Sequence, residues 1–193
     1  MKSLSNIGDF PAGSSLLADD ILEFHAARIL LLIRYCGKRS HRERLYSIQG
    51  LTKLAKLDFF VRYPEFFFEV KRRLGASSKD DYDVVESKMV RYHYGPWDQR
   101  YYHVLAYLEG RKLLEVNNVG KAFQFKLTNI GAEIAEKICN DVSFEKLCNH
   151  MKQVKKLLGG RSGSYLKDLI YQTFDEEIAQ KELGEVISQC LKQ

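Results

Sequence analysis

The sequence predicts a mainly α protein with a small β hairpin, an α+β fold class, on three observations. The chain has 193 residues, of which 45% are hydrophobic, and this length and composition suffice to bury a core. Over most of the chain the apolar residues recur at helical spacing. Near the middle, two strand-like runs at residues 113–116 and 122–127 flank a turn sequence, which is the pattern of a β hairpin.

Helices account for most of the chain before the hairpin. Residues 1–18 are polar and contain Gly, Pro and Ser, so they are predicted to be a flexible arm. A first helix is expected to follow, capped by Asp19 or Asp20 and ended by Gly37, with an apolar second half that should be central in the fold. Further apolar stretches predict helices at residues 47–63, with Ser47 as the cap, 65–74 and 98–110.

The connections between these helices carry the polar and turn-forming residues. Residues 38–46 are predicted to form a basic loop, residues 75–83 an exposed loop, and residues 84–94 an irregular or extended segment. Pro64 is expected to end one helix and to begin the next, because proline disfavours helix in the residue before it but suits the first helical turn. Gly95, which is followed by a proline, should form a turn before the next helix.

The chain after the hairpin is predicted to be helical again. Thr128 is expected to cap one helix, and residues 144–158 should form another with an apolar side. Residues 159–164, with the sequence GGRSGS, are predicted to be a linker. The apolar stripes beyond it predict two amphipathic helices, or one long helix slackened near Gly184.

A helix followed at once by a two-stranded hairpin and another helix is the order of a winged helix, in which a β wing completes a short helical core. The two strand-like runs are predicted to build this wing, with its turn at residues 117–120. Residues 125–132 lead from the second strand into a capped helix, as is typical of the exit from a wing. We therefore expect a helical and winged-helix domain at residues 19–140, with extra N- and C-terminal helices, the latter in an extension at residues 141–193.

The excess positive charge is confined to one part of the chain. The formal net charge is +5, and residues 1–74, with 13 Lys and Arg against 8 Asp and Glu, account for all of it. Much of the excess lies between Arg34 and Arg44, where five cations face one acid. Four arginines are therefore candidates for contacting DNA: Arg39, Arg42, Arg44 and Arg100. For the basic loop, a solvated surface turn is an equally open alternative.

The helix before the wing is poor in cations and rich in aromatic residues. When a winged helix reads DNA, this helix enters the major groove, and strong phosphate binding requires several Lys or Arg. Val119 stands at the predicted wing tip, where a DNA reader would favour a cation. Tyr and Trp are instead typical anchors of protein interfaces. We therefore predict a protein-partner surface of four tyrosines: Tyr92, Tyr94, Tyr102 and Tyr107.

Five residues near these elements are expected to have structural roles. Asp58 lies in an apolar helical stretch, so it requires a partner if it is buried. Arg62, four residues later, lies on the same helix face and is suited to that role. Pro64 and Gly95 are expected to shape the turns described above, and Trp97 to belong to the core.

Two phrases of the sequence resemble a known family. Residues 53–64 read KLAKLDFFVRYP and follow the apolar first helix, and residues 91–102 read RYHYGPWDQRYY and precede the wing. Over about residues 22–138, the chain resembles the middle components of three-component ABC-ATPase defence systems. It is also similar to the small C subunit of the Lamassu anti-phage systems.

The resemblance implies a non-catalytic adaptor. In this family an SMC-like ATPase works with an effector, often a nuclease, and a small winged-helix subunit joins them, in a role similar to that of the kite-type subunits of bacterial condensins. The implied partners are the ATPase subunit, the effector subunit and, through the complex, DNA. A stand-alone winged-helix transcriptional regulator that binds DNA through the four arginines is the alternative.

No enzyme chemistry, cofactor or metal is expected. The Gly-rich linker lacks the Gly-Lys-Ser/Thr ending of a phosphate loop and follows a helix instead of a strand. The five histidines are scattered without the spacing of metal ligands. Cys36 and Cys139 lie on apolar helix faces, so they are predicted to be unreactive.

A cytoplasmic location is expected, with no membrane attachment. The four cysteines form no C-x-x-C pair, and reduced thiols are the default for such a chain. The longest apolar run, residues 29–33, is far shorter than the ~20 residues that cross a bilayer. No signal peptide is predicted at the N-terminus.

Overall fold

The fold is mixed α and β and mainly helical, in agreement with the α+β prediction. The structure is a computed structural model that describes residues 21–76 and 88–187. Within these ranges seven α-helices form: α1 (Leu22–Cys36), α2 (Leu51–Arg62), α3 (Pro64–Arg73), α4 (Tyr101–Gly110), α5 (Asn129–Cys139), α6 (Glu145–Leu158) and α7 (Gly163–Thr173). Six strands accompany them: β1 (Lys38–Arg39), β2 (Tyr46–Gln49), β3 (Val90–Tyr92), β4 (Gly95–Trp97), β5 (Leu114–Val119) and β6 (Ala122–Leu127).

Helices α1 and α2 form the centre of the core. Residues 29–33 of α1 are almost wholly buried, which confirms the prediction that its second half is central. Helix α2 is buried along its length from Leu54 to Arg62. Pro64 is the first residue of α3, as predicted. The ring of Phe59 in α2 packs against the rings of Phe60 in the same helix and Phe66 in α3.

Four antiparallel strands form the main sheet, in the order β1-β2-β6-β5. Strand β2 pairs with β6 so that Ile48 lies opposite Phe125, and both side chains are buried. Because side chains alternate along a strand, the neighbouring Gln49 and Lys126 point away from the core. The hairpin β5–β6 is thereby joined to the helical core through a strand that precedes α2.

The basic loop predicted at residues 38–46 is a hairpin instead, and the predicted Ser47 cap is wrong. Ser47 lies in β2, opposite Lys38 of β1, and the N-cap of α2 is Gly50, whose φ is +90°. Strand β2 has only four residues, and its pairing with β6 involves a segment distant in sequence, so the helical pattern that follows outweighs its alternation in a prediction from sequence.

The predicted wing turn lies further along the chain. Residues 117–119 continue β5, and the turn consists of Gly120 and Lys121, with Gly120 at φ +65°. A two-residue hairpin turn requires positive φ, which glycine adopts without strain. The prediction at Thr128 is confirmed, because its side chain caps α5 by accepting a hydrogen bond from the backbone N–H of Gly131 (2.9 Å).

The last described segment is extended, where a second C-terminal helix was predicted. After α7 comes one π-helical turn, residues 175–179, and then a chain that runs beside β3. Arg91 donates its backbone N–H to the carbonyl of Glu185 (2.8 Å), and Ile187 donates to the carbonyl of Met89 (2.9 Å). The open edge of the β3–β4 hairpin recruits these residues into backbone pairing, which helical periodicity alone does not reveal.

The predicted linker is a tight connection between two packed helices. Gly159 is buried and its carbonyl accepts a hydrogen bond from Lys53 Nζ (2.9 Å), while Ser162 caps α7, which already begins at Gly163. Helices α6 and α7 share one hydrophobic cluster with α1 and α2. The division of the chain into domains stays a prediction. The arm at residues 1–18, the caps at Asp19 and Asp20, and most of the loop at 75–83 lie outside the described residues.

Candidate functional site

A buried cluster of charged side chains, here called the ion cluster, ties the start of α4 to α1 and α2. Its members are Arg28, Asp58, Arg62, Asp98 and Arg100. At its centre Asp58 of α2 is wholly buried. Its Oδ1 accepts a hydrogen bond from Arg28 Nε of α1 (2.9 Å), and its Oδ2 accepts one from the Tyr101 hydroxyl of α4 (2.7 Å). Arg62, the partner predicted from the sequence, lies further away, with its Nη1 at 3.6 Å from Oδ2.

Asp98 is the second carboxylate of this ion cluster. It accepts hydrogen bonds from Arg62 Nη1 (2.7 Å), from Arg100 Nη2 (2.8 Å) and from the backbone N–H of Arg100 (2.9 Å). Burial alone would raise the pKa of Asp98, but the hydrogen bonds from Arg100 and the charge of Arg62 lower it well below its ordinary value. The three arginines therefore hold the two carboxylates in their ionised form.

Arg100 is a member of the ion cluster, and this bears on its predicted contact with DNA. Besides its three hydrogen bonds to Asp98, from the backbone N–H, Nε and Nη2, its Nη1 lies 2.9 Å from His25 Nε2, and His25 Nδ1 lies 2.9 Å from Arg28 Nη1. The Arg100 side chain is 36% exposed. Its guanidinium is thus engaged within the protein, and the DNA contact of Arg100 stays a prediction.

Most of this cluster was not predicted from the sequence. The predicted pair was Asp58 with Arg62, without Arg28 or Tyr101 as partners. One signal was present, because Arg28 directly precedes the apolar run at residues 29–33, and a buried charge requires a counter-charge. The identity of that counter-charge follows only from the packing of α1 against α2.

Aromatic side chains cover the ion cluster on its outer side. Trp97 packs its ring on the Tyr101 ring at 5.3 Å, with Tyr92 stacked on its other side at 5.9 Å and Tyr102 at 6.1 Å. Tyr92 and Tyr102 remain 44% and 64% exposed. Here Trp97, Tyr92 and Tyr102 are called the aromatic surface. Trp97, predicted to be core, is half-buried and joins the core to this surface.

The other two predicted tyrosines lie apart from this surface. Tyr94 is 62% exposed on the turn of the β3–β4 hairpin, where it borders a shallow cleft with Lys53 and Lys167. Tyr107 is half-buried further along α4, and Arg111 lies over its ring at 5.0 Å. No ring contact among the described residues joins Tyr94 or Tyr107 to the aromatic surface.

The basic cluster of the sequence forms the tip of the β1–β2 hairpin. Arg34 at its start is half-buried and pairs with Glu136 of α5 (2.9 Å). Four cations, here called the basic turn, are exposed to solvent: Lys38, Arg39, Arg42 and Arg44. Arg39 Nε donates to the carbonyl of Arg44 (3.3 Å), and Arg44 has a φ of +58°. These side chains are free to reach a ligand, and their contact with DNA stays a prediction.

One buried cation lies outside the ion cluster. Lys56 of α2 is wholly buried, and its Nζ donates to the carbonyl of Pro96 (2.9 Å) in β4. Burial lowers the pKa of Lys56 to about 7. Gly95 packs against this side chain, since a Cβ at that position would lie 3.5 Å from Lys56 Cε and Nζ. The structural role predicted for Gly95 corresponds to this close approach and to its φ of +97°.

The described residues show no arrangement of metal ligands, and two of their thiols are unreactive. No group of three or more His, Cys, Asp or Glu side chains in the described ranges is placed to hold a metal ion. Burial raises the pKa of Cys36 to about 12 and that of Cys148 to about 11, so both are protonated at neutral pH. Of the helices described, none combines the length and apolar character that a bilayer crossing needs.

Comparison with known proteins adds nothing to this geometry. No model of a protein family, no curated protein and no solved structure matches the chain. Its function therefore has to be argued from its own residues.

Proposed function

We propose that this protein is a non-catalytic winged-helix adaptor subunit of a bacterial SMC-like ATPase complex for anti-phage defence, in the cytoplasm, bridging the ATPase head and an effector such as a nuclease. The observation that carries the adaptor role is the aromatic surface, because its rings are exposed to solvent while the ion cluster beneath them fixes their position. Rigid, partly exposed Tyr and Trp side chains are the usual centres of protein interfaces. The kind of complex rests on the two phrases at residues 53–64 and 91–102.

The strand order supports the winged-helix part of the proposal. The hairpin β5–β6 follows α4 directly and leads into α5, and β2, which lies between α1 and α2, joins this hairpin through β6. A wing anchored in this way completes a helical core, as a winged helix requires. Helix α3 and the β3–β4 hairpin then form an insertion before α4, and this insertion carries two of the three residues of the aromatic surface, Tyr92 and Trp97.

The distribution of exposed charge favours a protein partner over DNA at α4. The exposed residues of α4 and its flanks include two cations, Arg111 and Lys112, both after the end of the helix, beside Gln99 and His103. Val119 ends β5 at the wing tip and is 42% exposed. A groove-reading helix and wing would need more cations, because each neutralised phosphate adds to affinity.

Truncating the two most exposed residues of the aromatic surface should strongly weaken assembly. We expect the double change Tyr92→Ala and Tyr102→Ala to weaken binding to the ATPase encoded by the adjacent gene by about 30-fold or more, because truncating an interface anchor costs at least about 2 kcal/mol. Co-purification followed by titration calorimetry measures this loss. Phe123→Ala removes an equally exposed aromatic side chain on β6 and serves as the matched control. If the double variant binds as tightly as the wild type, the aromatic surface is not the interface.

A second function, DNA binding as a stand-alone winged-helix regulator, is favoured by the basic turn alone. Its four exposed cations form the one dense positive patch that the sequence predicts. A mobility-shift titration at several salt concentrations separates the two functions. Tight and specific binding of one duplex by the isolated protein at physiological salt would support the regulator, and weak binding that disappears with salt would support the adaptor.

Reversing the charge of the basic turn should weaken DNA binding by the assembled complex and leave assembly intact. For the triple change Arg39→Glu, Arg42→Glu and Arg44→Glu, we expect the slope of log K against log salt to fall by about 0.9 for each phosphate contact that is lost. Fluorescence anisotropy of a labelled duplex measures this slope. The matched control reverses three exposed lysines of α6: Lys146, Lys152 and Lys156. Loss of assembly in the first variant would show that the basic turn binds protein.

A further inference from the structure

The two edges of the main sheet differ in how they are protected. Strand β1 forms one edge, and it consists of two exposed cations, Lys38 and Arg39. Short length and positive charge are usual means by which a sheet edge avoids pairing with another chain. Strand β5 forms the other edge, with six residues that include neither proline nor lysine and that pair with β6 without a bulge. Five of these six residues are exposed or half-buried, so the β5 edge is open to solvent.

Alternate residues of β5 direct their backbone groups away from β6. The two-residue turn makes Val119 and Ala122 a hydrogen-bonded pair, so every second residue of β5 bonds to β6. In agreement, the carbonyl of Phe123, opposite Asn118, accepts a hydrogen bond from the backbone N–H of Gly50 on the other side of β6 (2.7 Å). Three residues consequently direct both backbone groups outward: Leu114, Val116 and Asn118. Among the described residues, none of these three N–H and three carbonyl groups has a backbone partner.

We propose that the β5 edge binds a second copy of this chain, with the two β5 strands antiparallel about a two-fold axis at Val116. The outward residues are spaced symmetrically about Val116, so this register places Val116 opposite its own copy and Leu114 opposite Asn118. Opposed residues of this kind exchange two hydrogen bonds, and the three pairs satisfy all the outward groups of both strands. A two-fold dimer requires such a self-complementary surface. The two four-stranded sheets then become one continuous sheet.

The side chains of β5 also suit a second copy. In this register Glu115 lies opposite Asn117 of the second copy, in a pair whose side chains are close together. The Glu115 carboxylate is already paired with Lys126 of its own chain (2.8 Å), so no unmatched charge enters the interface. Val116 is half-buried against the hydrophobic core. It would meet Val116 of the second copy, which extends the apolar layer across the axis.

The dimer does not depend on the proposed function. The aromatic surface belongs to the β3–β4 hairpin and the start of α4, and the basic turn lies at the opposite edge of the main sheet. Neither surface is part of the β5 edge. A chain that is monomeric in isolation would therefore refute the dimer and leave the adaptor proposal standing.

Two opposite changes at Asn117 test the register. Asn117→Lys would place a lysine opposite Glu115 on both sides of the axis. We expect it to tighten the dimer by about 2- to 30-fold, because each opposed pair of unlike charges stabilises a sheet. Asn117→Glu would oppose two acids twice and should weaken the dimer by a similar factor. Sedimentation equilibrium over a wide range of protein concentration measures the dissociation constant. Asn149→Lys and Asn149→Glu, at an exposed position on α6, control for net charge.

A proline at the outward position Asn118 provides the second test. Asn118→Pro removes an N–H that β6 does not use, so the hairpin should keep its circular dichroism and its unfolding temperature. We expect the dimer to weaken by at least about tenfold, because one hydrogen bond is lost on each side of the axis. Asn118→Ala keeps the N–H and should dimerise like the wild type. If the proline unfolds the hairpin, the two Asn117 variants decide the question alone.

Three results would overturn the proposal. One is a chain that stays monomeric at the highest concentration reached. Another is a dimer that responds equally to both Asn117 changes or survives Asn118→Pro in a folded hairpin. The third is amide hydrogen exchange that slows in β5 only when a different protein is added, since the edge would then accept a strand of that partner instead of a second copy.

Discussion

Asp58→Ala should destabilise the protein by about 3–5 kcal/mol, the range measured when one partner of a buried ion pair is removed. The carboxylate holds Arg28 and Tyr101, and Arg62 lies beside it, all with little or no access to water. Without Asp58 the guanidinium of Arg28 and the hydroxyl of Tyr101 lose their charged acceptor while they remain buried. Such a loss is a large part of the ~5–15 kcal/mol that stabilises a typical domain.

Urea unfolding followed by circular dichroism measures this change. Glu69→Ala is the control, because Glu69 pairs with Arg72 and Arg73 at the surface, where ion pairs contribute about 0–1 kcal/mol. The dependence of the unfolding free energy on pH provides a second test. Burial alone would raise the pKa of Asp58, but Arg28 and Arg62 keep it below its ordinary value. The stabilisation is therefore complete above about pH 4 and is lost as the pH falls further. Equal urea midpoints for Asp58→Ala and Glu69→Ala would show that the cluster contributes no net stability.

Gly131→Ala should cost about 3 kcal/mol, the upper part of the usual range for overpacking. Gly131 lies in the first turn of α5, directly beside the start of β5. A Cβ at this position would lie only 1.9 Å from the carbonyl oxygen of Leu113 and 2.8 Å from its carbonyl carbon. Those atoms belong to the backbone, and Thr128 fixes the same place by donating its hydroxyl to the carbonyl of Lys112 (2.7 Å). Helix α5 must therefore move away from the base of the β5–β6 hairpin.

Thermal and urea unfolding of this variant should be compared with Gly110→Ala. Gly110 ends α4, and a Cβ there meets no atom within 4 Å. This control should be neutral or stabilising by up to about 1 kcal/mol, because alanine is the better helix former. If the two variants unfold alike, the contact between Gly131 and Leu113 is loose enough to accommodate a methyl group.

Local patterns of the sequence were sufficient for most helices and for the β5–β6 hairpin. The apolar faces of α1, α2 and α4, the proline at the start of α3 and the cap of α5 are properties of neighbouring residues, and each was predicted. Strand β2 and the extended segment at residues 184–187 were not, because each depends on backbone pairing with a strand far away in the chain. A four-residue run has too little periodicity to reveal such pairing.

The candidate site was predicted in its exposed part and in one buried pair, Asp58 and Arg62. Tyr92, Tyr102 and the arginines of the basic turn are indeed at the surface, as their residue types suggest. The ion cluster beneath them depends on which elements meet. Arg28 and Asp58 are 30 positions apart, and Arg100 and His25 are 75 positions apart, so no local pattern links them. The roles of the exposed tyrosines as protein contacts and of the basic turn as a DNA contact remain predictions that the proposed experiments address.

The same separations in the sequence bear on the order of events during folding. The cluster requires α1, α2 and the start of α4 to meet. The chain must therefore close long loops, at a cost in entropy, before the hydrogen bonds of the cluster can form. During synthesis, Arg28 and Asp58 leave the ribosome well before Tyr101 is available. The aromatic surface consequently takes shape only after most of the chain has emerged, and a half-made chain cannot present it to a partner. Any partner that recognises the aromatic surface would therefore meet a chain that has already completed its core.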